Sequence, residues 1–211
     1  MVRSRFTVIA ATGMTCLLTA FLVASQQSGQ QASKPMQGHD MSMAPPKTMK
    51  NDMKKMTKAE KIANAITAGP AGITTGAAVY DWPSKEGMAP ELLRAGTNGW
   101  VCMAHPETMC LDKQWQEWAD AWMQKRAPKV TAVGIGYMLQ GDAGASNTDP
   151  FATGPTATNQ WVVSPAHIMV LTPDVKQLDA LPTASNNGGP WVMWKGTPYA
   201  HIMVPTAPMK K

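Results

Sequence analysis

Residues 111–128 read LDKQWQEWADAWMQKRAP and carry the strongest periodic signal in the chain. Apolar side chains recur there at spacings of three and four, which places them on one face of a helix. These residues are Leu111, Trp115, Trp118, Ala119, Trp122 and Met123. Asp112 is a good N-cap and Pro128 follows the last turn, so the pattern predicts a helix over 112–126. Three tryptophans in a stripe suit either a core or a sugar-binding platform, and helical spacing favours the core.

Strand signals surround this helix. Three segments after it are rich in Val, Ile, Tyr, Trp and Met and are separated by turn-forming residues. They are residues 130–140, 160–171 and 191–205. Before the helix we expect strands at 77–81 and 100–103 and a short helical turn at 90–95. The fold class predicted is α+β, a single domain with a mostly antiparallel sheet and the Trp-rich amphipathic helix packed on one face.

The first 25 residues predict export from the cytoplasm. Arg3 and Arg5 precede an apolar run from Phe6 to Ala24, which is the layout of a secretory signal peptide. The alternative is an uncleaved membrane anchor, since the run is almost long enough to span a bilayer. We therefore expect a periplasmic or secreted bacterial protein, which contacts a membrane only if this segment is retained.

A tether is predicted to separate that segment from the folded domain. Residues 26–61 are rich in Met, His and Lys with almost no aliphatic or aromatic side chain, so they cannot offset chain entropy by burial and should be disordered. The α+β domain is expected over 62–206, with a short tail at 207–211. A capping box in the sequence Thr57-Lys-Ala-Glu60 predicts the first helix.

The tether also has a composition suited to metal capture. His39, Met41 and Met43 lie among further methionines, and thioether sulfur is a soft ligand that favours monovalent copper. The segment resembles the methionine- and histidine-rich tails of periplasmic copper-handling proteins. Against this, its lysines repel cations, and low-complexity tails vary in composition without a chemical role.

The charge distribution argues against nucleic-acid binding. The formal net charge is +5. It divides into +2 over residues 1–25, +4 over 26–62 and −1 over 63–211, and this last segment has ten basic and eleven acidic side chains. Because the expected folded part is near neutral, a basic stripe for a phosphate backbone is not supported.

Cys102 and Cys110 predict a disulfide. Outside the cytoplasm, two thiols close in sequence tend to oxidise, and a bridge here would close the small loop between them. The alternative is a metal site that uses both sulfurs and His105 from that loop.

The tetrapeptide HIMV occurs twice, at 167–170 and 201–204. In a strand the His and Met of each copy point to the same side, so neighbouring strands would bring four candidate ligands onto one face. These are His167, Met169, His201 and Met203. Two imidazoles and two thioethers suit copper, and Cu(I) in particular, whereas thioether is a poor zinc ligand. The alternative is that these are ordinary core residues.

A polar loop offers a different chemistry. Asp142, Ser146 and Asp149 lie within residues 140–151, where they could work with a histidine in acid/base chemistry. The spacing matches no EF-hand, and Ser146 lacks a Gly-x-Ser-x-Gly elbow. The same residue types are common in turns.

Four segments carry a family resemblance: GTNGWVCM, MCLDKQW, YMLQGDAGASNTDPFATGP and GPWVMWKGTPYAHIMVP. They resemble segments of an uncharacterised family of secreted bacterial proteins, over about residues 60–206. The resemblance implies a single exported domain and supplies no activity and no site residues.

These observations favour an exported metal-binding protein, with copper as the cofactor and the metal ion as its partner. The alternatives are an exported hydrolase or small-ligand-binding module, and a structural envelope protein. The sequence names no catalytic residue and no protein partner, so an enzyme is an alternative rather than the expectation.

Overall fold

The computed structural model describes residues 56–84 and 88–209. The expected signal segment and residues 26–55 of the expected tether lie outside this part of the chain. Across the described ranges, every helix is too short or too polar to cross a lipid bilayer.

Three α-helices and two 3₁₀ turns form the helical part of the described chain. The helices are α1 (Lys58–Ala65), α2 (Ala71–Thr74) and α3 (Lys113–Met123), and the 3₁₀ turns are Ile66–Ala68 and Val175–Leu178. The capping box is confirmed, because the Thr57 hydroxyl accepts from the Glu60 N–H while the Glu60 carboxylate accepts from the Thr57 N–H. This helix starts four residues before the expected domain boundary at 62.

Within residues 56–84 and 88–209, ten strands lie in two sheets. They are β1 (Ala78–Asp81), β2 (Glu91–Arg94), β3 (Val101–Met103), β4 (Met109–Leu111), β5 (Gly134–Met138), β6 (Ala145–Ser146), β7 (Trp161–Val162), β8 (His167–Leu171), β9 (Trp191–Met193) and β10 (His201–Pro205). The larger sheet has the order β2-β1-β3-β4-β5-β8-β10-β9, and β6 pairs with β7. Only β1 and β3 are parallel neighbours, so the described chain is an α+β structure with a mixed sheet.

The expected helical turn at 90–95 is wrong. Residues Glu91–Arg94 form strand β2, which pairs antiparallel with β1. The Arg94 guanidinium donates to the Thr74 and Ala77 carbonyls, and these bonds hold the segment against its neighbours. Tertiary contacts therefore decide a segment whose local sequence is ambiguous.

The expected helix over 112–126 is confirmed for its central residues, Lys113–Met123. Asp112 is the N-cap, and one carboxylate oxygen accepts from the Gln114 and Trp115 N–H groups at 2.9 Å. Its other oxygen accepts from the Ile135 N–H of β5 at 2.6 Å. Met123 is 50% exposed, contrary to the expected apolar face, and Ala121 is buried instead. The helix ends at Met123, so this side chain lies beyond the buried stripe.

Cys102 and Cys110 face each other across β3 and β4, with the sulfurs 2.08 Å apart. Their side chains belong to a buried cluster that includes Val79, Leu93 and small alanines of α1 and its extension. Leu111, the next residue after Cys110, belongs instead to a second cluster with Trp115, Met169 and Met203. Successive strand residues thus enter different cores, as the two-residue period of a strand requires.

Candidate metal centre

Strands β8 and β10 are antiparallel neighbours, and Met169 lies directly opposite Met203. Burial alternates along both strands, with His167, Met169, His201 and Met203 all buried. The structure therefore brings the four candidate ligands onto one face of two adjacent strands. This cross-strand methionine pair lies at their centre.

The register separates the two histidines along the strands. Pro205 is opposite His167, and the pairing of Ile202 with Val170 places His201 across from Leu171. The histidines thus stand four residues apart along the strand direction, or about 13 Å at roughly 3.3 Å per residue. Each histidine lies at one end of the methionine pair, and the pair lies between them.

Each histidine instead lies opposite a methionine that is not among the four ligands expected from the sequence. Met138 of β5 is directly opposite His167, and Met193 of β9 is directly opposite His201. Directly opposed residues of antiparallel strands have Cβ atoms about 4.5–5.5 Å apart. Both methionines belong to the same buried cluster as Met169 and Met203.

Two further methionines extend this arrangement across the sheet. Met103 pairs with Met109 across β3 and β4, and the register that pairs Cys110 with Tyr137 puts Met109 next to Met138. All six methionines within described strands therefore point to the same face. They are Met103, Met109, Met138, Met169, Met193 and Met203. The two-residue alternation of a strand predicts which side chains of that strand share a face. Which face of one strand matches which face of the next depends on the register, and the sequence does not give the register.

The histidine ring nitrogens have distinct roles. His167 Nδ1 lies 2.7 Å from the Pro165 carbonyl oxygen, and His201 Nδ1 lies 3.0 Å from that of Tyr199. A carbonyl oxygen only accepts, so Nδ1 carries the proton in each ring and Nε2 carries the lone pair. His167 Nε2 is buried and has no hydrogen-bond partner among the described residues. A backbone carbonyl on one nitrogen and a free lone pair on the other is the usual arrangement of a metal-binding histidine.

Burial keeps both histidines neutral at pH 7. It lowers the pKa of His201 to about 4, against an opposing effect of the Tyr199 carbonyl and with a smaller contribution from His167. Burial also lowers the pKa of His167, although the Pro165 carbonyl and the Asp142 carboxylate oppose this. Neutral imidazole is the form that coordinates a metal ion.

Aromatic rings surround His201. The ring centroids of Trp115, Trp118 and Trp194 lie 5.2, 5.6 and 5.1 Å from the imidazole centroid, each nearly perpendicular to it. Trp194 has a positive φ of 56°, which is rare for a bulky side chain. Its ring stacks on Trp118 at 5.7 Å and its N–H donates to the Ser146 carbonyl at 2.5 Å, so these contacts hold the unusual backbone in place.

Acidic groups lie on the His167 side. An Asp142 oxygen accepts from the Ser164 N–H at 2.8 Å, and burial raises the pKa of Asp142 despite this bond and the nearby His167. Burial, together with the Asp142 charge, raises the pKa of Glu107 to about 7, and a bond from the Ala143 backbone opposes the rise. Asp142 is one of the candidates expected from the sequence, whereas Glu107 lies in no local motif that would have pointed to it.

The other loop candidates make turn contacts. The Ser146 hydroxyl donates to the Asn159 carbonyl at 2.8 Å and accepts from the N–H groups of Thr148 and Asp149. The Asp149 carboxylate accepts from the Phe151 N–H at 2.9 Å. These hydrogen bonds lie within the loop and stabilise its turns. The Ser146 hydroxyl proton is donated to the Asn159 carbonyl, whereas a nucleophilic serine would have to give that proton to a base.

Of the other proposed metal ligands, His105, His39, Met41 and Met43, the structure describes only His105. His105 donates its backbone N–H to Asn64, and its Nδ1 is buried without a partner. The two cysteine sulfurs are bonded to each other, so they cannot join His105 as thiolate ligands. His39, Met41 and Met43 lie outside the described residues.

Two of the cavities in the described part of the chain have volumes of about 280 and 450 Å³. The first is lined by Asn147, Gln160 and Lys195 among others, and the second by Lys176, Asp179 and Pro198 among others. Neither is lined by His167, His201 or Asp142.

Within residues 56–84 and 88–209, no three His, Cys, Asp or Glu side chains converge in a way that could hold a metal ion. No known protein family, curated protein or solved structure shows significant similarity to this chain.

Proposed function

We propose that this protein is an exported copper-binding protein that holds Cu(I) between histidine Nε2 and methionine Sδ atoms on one buried face of its sheet. One observation carries the proposal. The lone pair of His167 Nε2 is buried without a partner, on a face where all six strand methionines of the described chain point. Buried methionines can be explained by packing alone. A buried imidazole nitrogen without a hydrogen bond adds nothing to packing, and it therefore points to a ligand.

The chemistry of the available atoms favours Cu(I). Neutral imidazole and thioether are soft or borderline ligands, and neither neutralises a hard dication. The face also lacks the dense set of His and Cys that tetrahedral Zn²⁺ requires. Burial excludes water, which protects a monovalent ion from oxidation in the compartment where the Cys102–Cys110 disulfide would persist. In this proposal α3 covers the face, and the Trp115 N–H bond to the Met169 carbonyl at 3.2 Å supports that placement.

An acid/base function has one observation in its favour, the influence of Asp142 on His167. The two cavities described above are lined by other residues, so neither of them places a substrate beside that pair. We therefore keep the hydrolase as an outcome of the test rather than as a second proposal.

Anaerobic Cu(I) competition against a chromophoric chelator tests the proposal, with Zn²⁺ as the comparison ion. The protein is a full-chain variant, called the tail variant, in which His39 and the five methionines of residues 36–53 are replaced by alanine. We expect the tail variant to bind Cu(I), and Met169→Leu with Met203→Leu to weaken binding at least tenfold. Leucine conserves the volume of methionine and removes its sulfur.

Met103→Leu is the matched control. Met103 is 7% exposed and faces Met109 rather than a histidine, so this change removes a buried sulfur without touching a histidine pair. Unchanged binding in the Met169/Met203 variant, or a tail variant that binds no copper, would overturn the proposal.

A further inference from the structure

We infer that the face holds two copper ions rather than one, in two half-sites related by a local two-fold axis between Met169 and Met203. This inference rests on the proposed function. Each half-site has one histidine and two methionines. The first half-site is His167, Met138 and Met169, and the second is His201, Met193 and Met203.

The symmetry follows from the register of the repeated sequence. The two copies of Ala-His-Ile-Met-Val are antiparallel, and the methionine of one copy is paired with the methionine of the other. A two-fold axis through that pair exchanges His167 with His201. The register sets where this axis lies: a shift of two residues would place it through another pair of equivalent residues and would no longer bring Met169 opposite Met203.

The outer strands follow the same symmetry, although their sequences are unrelated. β5 lies beside β8 and places Met138 opposite His167. β9 lies beside β10 and places Met193 opposite His201. The axis therefore exchanges Met138 with Met193, and six soft side chains form two matching groups.

Spacing favours two ions over one shared ion. A metal–imidazole bond is about 2.0–2.1 Å, so an ion shared by both rings needs their Nε2 atoms within about 4 Å. The histidine backbones are separated by about 13 Å along the strands, whereas each histidine has a methionine directly across from it at about 5 Å between Cβ atoms. The central methionines are each two residues from one histidine on the same strand, so each belongs to the nearer ring.

The two half-sites differ in their surroundings, which makes them separable by experiment. Trp118 and Trp194 contact the His201 ring edge to face, and neither is among the aromatic neighbours of His167 in the described chain. Most of the copper-dependent quenching of tryptophan fluorescence should therefore come from an ion bound to His201. A copper ion on His167 lies toward Asp142 and should quench less.

The test measures bound copper per chain by elemental analysis of the Cu(I)-loaded tail variant after gel filtration. We expect about two copper ions per chain, about one in His167→Asn, about one in His201→Asn and none in the double variant. Asparagine keeps a donor near the position of Nδ1 and removes the Nε2 lone pair. Most of the tryptophan quenching should disappear in His201→Asn and persist in His167→Asn.

Met138→Leu and Met193→Leu provide a second pair of variants that keep the packing volume. Each variant should weaken the binding of one copper ion at least tenfold and leave the binding of the other ion unchanged. One copper ion per chain, lost in either single histidine variant, would overturn the two-site inference while the proposed function stood. Two ions retained in the double histidine variant would also overturn it, and no copper in the tail variant would overturn the proposed function itself.

Discussion

Two identical pentapeptides reach different electrostatic settings. His167 and His201 make the same Nδ1 bond to the carbonyl two residues before them, which local backbone geometry provides in both copies. Their neighbours then differ, with Asp142 near the first ring and three tryptophans around the second. Local sequence thus sets the tautomer, and the fold sets the environment.

His201 predicts a loss of stability in acid. Its pKa in the folded protein is about 4, below the value of 6.5 expected in the unfolded chain, so unfolding takes up a proton between these values. Its contribution is fully present above pH 6.5 and is lost as pH falls to 4, by an amount on the order of 3 kcal/mol. Urea unfolding at pH 7 and pH 4.5 should show a smaller loss in His201→Asn than in the parent. Equal losses in the two proteins would contradict this.

Glu107 predicts the opposite trend. Its folded pKa of about 7 exceeds the usual 4.5, so its contribution is present below pH 4.5 and is lost as pH rises through 7. We expect Glu107→Gln to be about 1 kcal/mol more stable, relative to the parent, at pH 8 than at pH 5, after allowing for its partial exposure. The exposed Glu91→Gln is the control for charge alone. A Glu107 variant that tracks this control at both pH values would show that the carboxyl is not perturbed.

At the scale of elements, Asp112 joins α3 to the sheet as well as capping it. Asp112→Ala removes two cap bonds and leaves the Ile135 N–H without its acceptor, so we expect a loss of about 2–3 kcal/mol. Thr57→Ala removes a cap that serves α1 alone and should cost about 1 kcal/mol. Chemical denaturation of both variants makes the comparison. Equal costs would mean that the bond to β5 adds nothing.

The helix and most strands could be predicted because their patterns are local. The Asp112 cap and the tryptophan spacing define α3, and the repeated HIMV identifies two strands whose inward residues alternate. The helical turn expected at 90–95 is wrong because this segment forms a strand by pairing with β1, and its own residues do not indicate that pairing. Register is also a property of two strands together. The separation of His167 from His201, and the methionines opposite them, could therefore not be read from either strand alone.

At the scale of the whole molecule, the disulfide links two strands in the middle of the larger sheet. Replacing both cysteines by alanine should cost about 2–3 kcal/mol, as expected for a loop closed over a sequence separation of 8. The measurement is thermal and urea unfolding of the double variant beside the parent. Thiol counting of denatured, unreduced protein is its companion, and two free thiols would contradict the bridge in the isolated protein.

In the folded domain, histidine and methionine side chains share one buried face of the sheet, and a methionine-rich segment outside the described residues precedes this domain in the sequence. The sequence indicated both regions through composition and repetition. The proposed number of copper ions and their proposed ligands depend on strand order and register, which only the folded chain provides.

X-ray absorption at the copper edge of the Cu(I)-loaded tail variant tests the central claim most directly. It reports the elements bound to the ion. The account predicts a first shell with both sulfur and imidazole nitrogen, and loss of the imidazole signal in the His167→Asn, His201→Asn variant. A shell of sulfur alone, or an imidazole signal that survives in that variant, would contradict the assignment of copper to this face of the sheet.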